Sequence, residues 1–118
     1  MAKSNQPMDC LVYCQLGMTE KLLDFAKSTS GQNYLRMCKR ILPDPESRLK
    51  AFLVDYQSTF LVQAMVQTLG VEADFDLVTS PPFMEMHQEL CDTVDEHVGE
   101  LLALLTHDQR SRLQALLA

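Results

Sequence analysis

Residues 43–70 read PDPESRLKAFLVDYQSTFLVQAMVQTLG, and this stretch decides the fold. Asp44 suits a helix N-cap, and Pro45 suits the first helical position, where a missing N–H costs nothing. Nothing after it breaks a helix until Gly70, which stands where helices close in a left-handed conformation. The stretch predicts one helix over 45–69, about 37 Å long at 1.5 Å per residue. Its first half is amphipathic, with Leu49, Phe52, Leu53 and Tyr56 on one side and Arg48, Lys50 and Asp55 on the other. Its second half, from Phe60 to Val66, is apolar nearly all round, and such a helix must be surrounded by protein. Two readings follow. Either this is the central helix of a bundle, or one side of it, through Phe52, Tyr56, Phe60, Leu61 and Met65, meets another subunit or a partner.

Upstream, Thr19 suits an N-cap before Leu22, Leu23, Phe25 and Ala26 at helical spacing, and Ser28 to Gly31 closes that helix. A second helix over 32–42 places Tyr34, Leu35, Cys38, Ile41 and Leu42 on one face. Residues 8–16 fit a helix or an extended segment, so residues 1–17 are expected either to pack or to form a flexible or extended arm. Downstream, residues 71–80 read as a short acidic connection, extended at most over 71–78. Ser80-Pro81-Pro82 repeats the cap-then-proline start, and the helix that follows runs to about Leu105. Thr106 and Gln109 make a capping box for a last short helix bearing Leu113, Leu116 and Leu117. The expected fold class is all-α. A single domain over 1–118 forms a small antiparallel bundle of four to five helices, expected to pair as a homodimer because a core of this size gains from further burial.

Met84, His87, Cys91, Val94, Val98, Leu101 and Leu105 alternate by three and four residues, which predicts a heptad seam on the 81–105 helix, with Phe83, Leu90 and Leu104 widening one edge. Glu85, Glu89, Asp92 and Glu96 fall on the opposite side. They belong to a larger asymmetry. From Ala51 to Gln109, 59 residues hold eleven carboxylates and neither lysine nor arginine, while the first fifty residues carry net +3 and the last nine net +2, for −6 in all. Segregated charge is informative about partners. A negative surface disfavours direct nucleic-acid binding, whose affinity comes from Lys and Arg on phosphates. The one basic cluster is Arg36, Lys39, Arg40, Arg48 and Lys50, expected to face part of the acidic set.

Catalytic and cofactor signatures are missing from the sequence. Its four glycines build no phosphate-cradling loop, and no nucleophile stands in a recognisable turn. The reading is not an enzyme, with no cofactor. Cys10, Cys14, Cys38 and Cys91 form no CxxC and read as packed thiols of a reducing compartment. No apolar run reaches a membrane-spanning length, and the N-terminal residues lack the pattern of a secretory leader, so the expected location is the cytoplasm. His87 and Cys91, four apart on one helix face, could begin a metal site if Cys38 or Glu100 joined them. Leu105-Thr106-His107-Asp108-Gln109 resembles the LTxxQ motif of small periplasmic chaperones and metal-stress sensors. Those families carry it twice and this chain once, so the box reads first as helix punctuation.

The functional expectation is a small protein-binding regulator that sequesters a partner, with an anti-activator of a transcription factor favoured. Phe52, Tyr56, Phe60, Leu61 and Met65 would supply apolar contact, and Glu85, Glu89, Asp92 and Glu96 would select a basic DNA-binding protein. Methionines Met18, Met37, Met65, Met84 and Met86 suit an adaptable surface. The alternatives are a metal- or stress-responsive helical protein and a dedicated chaperone or adaptor for a client.

Overall fold

A computed structural model describes residues 10–118 and is helical throughout, with no strand among the described residues. The helices are α1 (Cys10–Gly17), α2 (Glu20–Lys27), α3 (Thr29–Ile41), α4 (Pro45–Leu69), α5 (Phe75–Val78), α6 (Pro81–Leu102) and α7 (His107–Leu117). The expectation of four or five helices is therefore too low. The excess comes from two short pieces. Residues 10–17 form a helix instead of an extended arm, and the acidic connection folds into the single turn of α5.

The caps explain these boundaries. The Asp44 carboxylate accepts from the Ser47 N–H at 2.9 Å and from its hydroxyl at 3.0 Å. These bonds, the backbone one first, hold the Asp44 carboxyl below its ordinary pKa. Gly70 closes α4 at φ 67° and donates to the Val66 carbonyl. Thr106 and Gln109 satisfy each other's backbone N–H groups at 3.1 and 2.9 Å, forming both halves of the capping box. Ser80 departs from expectation. Its hydroxyl turns back to the Leu77 carbonyl at 2.7 Å and does not cap α6. Ser28 serves two helices, with its N–H on the Asp24 and Phe25 carbonyls and its hydroxyl accepting from the Gly31 N–H. The crossing is tight, since a Cβ on Gly31 would lie 1.7 Å from the Phe25 carbonyl oxygen.

Helix α4 is the axis of the molecule, with α3, α6 and α7 packed against it. Phe52, Leu53 and Tyr56 are essentially inaccessible. Phe25 of α2 lies within 5.6 Å of the Phe52 ring and 5.4 Å of the Tyr56 ring, centre to centre. Helix α1 packs on α6 and is tied to α4 by polar bonds. The Tyr56 hydroxyl donates to the Gly17 carbonyl at 2.8 Å, buried Gln57 donates from Nε2 to the Cys14 carbonyl at 3.1 Å, and the Tyr13 hydroxyl donates to the Gln57 carbonyl at 3.2 Å. These bonds satisfy groups that would otherwise be costly to bury.

The seam of α6 is displaced toward the edge that Phe83 and Leu90 were expected to widen. Its buried line is Phe83, Leu90, Val94 and Leu101, continued past the helix end by Leu105, with His87 and Val98 half-buried, while Met84 is 57% exposed and Cys91 lies at the edge. The contact positions step by four twice in succession at Leu90, Val94 and Val98. There the helix breaks regularity, with His97 at φ −119° and ψ 18°. An uninterrupted three-four alternation drifts around an unbent α-helix. The irregular turn lets both halves keep an apolar face on the core.

Candidate protein-docking surface

The structure divides the nine expected contact residues sharply. Phe52, Tyr56, Leu61 and Met65 belong to the core of the single chain, none more than 8% exposed. The apolar surplus of α4 that suggested an external contact is largely consumed by α6, α3 and α7, with Phe25 of α2 on its aromatic rings. Phe60 alone remains half-exposed, edge-on to Tyr56 with centroids 5.0 Å apart. It lines a groove of about 310 Å³ with Tyr13, Leu16, Lys21 and Gln57.

The four carboxylates lie as expected on the outer face of α6. Asp92 accepts from Gln88 at 3.0 Å, and Glu96 sits 3.8 Å from the His97 imidazole. Glu85 and Glu89 meet no cation among the described residues. Further along, Glu100 lies 3.3 Å from His97 Nδ1, and Asp95 takes the Lys50 ammonium at 2.8 Å, joining α6 to α4. The acidic ridge thus meets one ammonium, that of Lys50, toward its C-terminal half and no cation among the described residues at its N-terminal end.

Beside that bare end lies a surface that sequence reasoning passed over as a linker. Leu69 is 57% exposed, Val71 43%, Phe75 76% and Val78 38%, interleaved with exposed Glu72, Asp74 and Asp76. Helix α5 is anchored by Leu77, which is buried, and by the Asp74 carboxylate capping the Leu77 N–H at 3.1 Å. It packs against α6, whose Met84 and Met86 are also exposed. An exposed phenylalanine alone needs no explanation, but a run of apolar side chains rimmed by charge is the composition of a contact surface. The available signal was the phenylalanine itself, flanked on both sides by aspartate in a segment too short to bury it.

The basic cluster also separates. Arg48 donates from Nε to the Leu42 carbonyl and from Nη1 to the Leu117 carbonyl, fastening α7 to the α3–α4 turn. Lys50 pairs with Asp95 and Glu46. Arg36, Lys39 and Arg40 stay exposed and meet no carboxylate among the described residues, contrary to the expected internal pairing.

His87 stacks on Phe83, and its Nδ1 lies 3.8 Å from the Cys91 sulfur. Cys38 is buried on α3 and Glu100 is beside His97, so neither completes a ligand set. Among the described residues no three His, Cys, Asp or Glu side chains converge. Burial, and then Asp92, push the Cys91 thiol above its ordinary pKa, which works against a thiolate ligand. Among the same residues no helix is long and apolar enough to cross a membrane. Comparison with family models, curated proteins and solved structures gave no match.

Proposed function

We propose that this chain is a non-enzymatic, cytoplasmic protein-binding regulator that sequesters a basic partner, in the form of an anti-activator holding a DNA-binding protein. The observation that supports this reading most is the bare end of the molecule, where the Phe75 ring stands 76% exposed among Glu72, Asp74 and Asp76. The apolar side chains of α5 and the end of α4 would supply affinity. Glu85 and Glu89, unneutralised beside them, would steer a cationic surface into place. This moves the contact from the middle of α4 to its C-terminal end and keeps the acidic face of α6 as its flank. Phe60 serves at most as a secondary contact at the α1–α4 groove.

Affinity capture from the native cytoplasm, run in parallel with wild type and Phe75→Asp, tests it. The expected result is a DNA-binding protein retained by wild type, released by salt and lost with Phe75→Asp, while the variant melts like wild type. Capture of the same proteins by both chains, or of no DNA-binding protein, would overturn the reading.

A further inference from the structure

Helix α3 turns a second apolar stripe outward. Met37 is 54% exposed and Ile41 67%, and they lie on one helical stripe with Asn33, Arg36 and Arg40. The opposite side of α3 is spoken for, with Gly31, Leu35 and Cys38 buried. The stripe therefore carries cations that meet no carboxylate among the described residues, set around bare apolar side chains. The Phe75 surface carries Glu72 and Asp76, which meet no cation among the same residues, also around bare apolar side chains. The stripe lies next to the Pro45 end of α4 and the Phe75 surface next to its Leu69 end. The helix between them is about 37 Å long. The two surfaces are complementary and cannot neutralise each other within one chain.

We infer that the occupant of the α3 stripe is a second copy of this chain, which places its Val71–Phe75 surface over Met37 and Ile41, with Glu72 and Asp76 against Arg36 and Arg40. The contact is heterologous, joining two different patches. Because it covers Phe75, self-association and partner capture compete for one surface. In this the inference rests on the docking reading above, and it makes the assembled form the masked one.

Reciprocal charge reversal tests it. Arg36→Glu/Arg40→Glu alters the stripe. Glu72→Lys/Asp76→Lys alters the acidic surface and leaves Asp74, the α5 cap, in place. All four side chains are exposed, and thermal melts check that both variants fold. In sedimentation velocity, wild type should associate at low salt and dissociate at high salt. Each variant alone should associate at least about tenfold more weakly, since like charges then face each other. Mixing the two variants should restore association, because each reversed patch then meets its opposite. A monomeric wild type at low salt, a variant that still associates, or a mixture that does not, would overturn the inference. Labelled duplex DNA supplies the competing explanation. Salt-sensitive binding lost with Arg36→Glu/Arg40→Glu would assign the stripe to phosphates and sink the self-contact. Partner capture separates the two ideas. A monomeric wild type that still loses its partner with Phe75→Asp leaves the regulator reading standing. Restored association in the mixture, with capture unaffected by Phe75→Asp, leaves the self-contact standing alone.

Discussion

Asp55 sits where its surroundings work against its charge. It projects from α4 into a largely desolvated place, and burial raises its carboxyl to about 6. The folded value lies above the unfolded one, near 4, so the folded chain binds the proton more tightly. Stability from this group falls as pH rises from about 4 through 6, and the full cost is present at neutral pH. Asp55→Asn should therefore raise the melting temperature at pH 7, by the equivalent of roughly 1–2 kcal/mol after solvent screening, and have little effect at pH 4. A lower melt at pH 7 would mean that the carboxylate has a favourable partner. Gly31 gives a prediction of the opposite sign. A methyl group there would collide with the Phe25 carbonyl, a backbone atom that cannot swing aside. Gly31→Ala should cost about 1–3 kcal/mol or more, read as a lower urea midpoint, because α2 and α3 must separate to accept it.

At the scale of elements, local chemistry was legible and mutual placement was not. Asp44, Pro45 and Gly70 write the limits of α4 in side-chain chemistry, and Thr106 with Gln109 writes the start of α7. These signals act over three or four residues, so no tertiary knowledge is needed to read them. Helix α1 was hidden because Leu11, Val12, Tyr13 and Cys14 run apolar without a helical gap, and nothing near them names α4 and α6 as their cover. For the same reason the face of α4 stayed open between core and outside contact, since its cover by α6 and α7 and its bonds to α1 depend on residues some forty or more positions away in sequence. The shift of the α6 seam came from the turn at His97, where even spacing fails. Next to that turn, Gly99 is helical, and a Cβ there would meet nothing within 4 Å. Gly99→Ala should stabilise α6 by about 0.5–1 kcal/mol through helix propensity and a stiffer unfolded chain, measured by chemical denaturation. A loss of stability would show that the irregular turn needs the glycine.

For the whole molecule, the exterior is as organised as the core. One end of α4 neighbours a cationic apolar stripe and the other an anionic apolar surface, while Lys50 bonds α4 to α6 and Arg48 bonds it to α7. The sequence announced the asymmetry through its 59 residues without a cation. It could not say which charges are spent internally, because that depends on helix packing. Helix α1 contributes to the core more than its length implies. Removing residues 1–17 should expose Tyr56 and Gln57, strip their hydroxyl and amide of the Gly17 and Cys14 carbonyls, and lower the urea midpoint sharply. An unchanged midpoint would demote α1 to an accessory.

The bonds between α1 and α4 also give the protein an optical gauge of its own. The chain has no tryptophan and three tyrosines, so its near-ultraviolet signal comes mainly from tyrosine. Two of these, Tyr13 and Tyr56, sit at the α1–α4 junction, and burial lifts both phenols to about 12. In an alkaline titration followed at the phenolate band, both should ionise late while α1 stays docked. They should shift toward the ordinary value near 10 once it lifts away. Absorbance alone can then follow the attachment of a single helix, without a label on the protein.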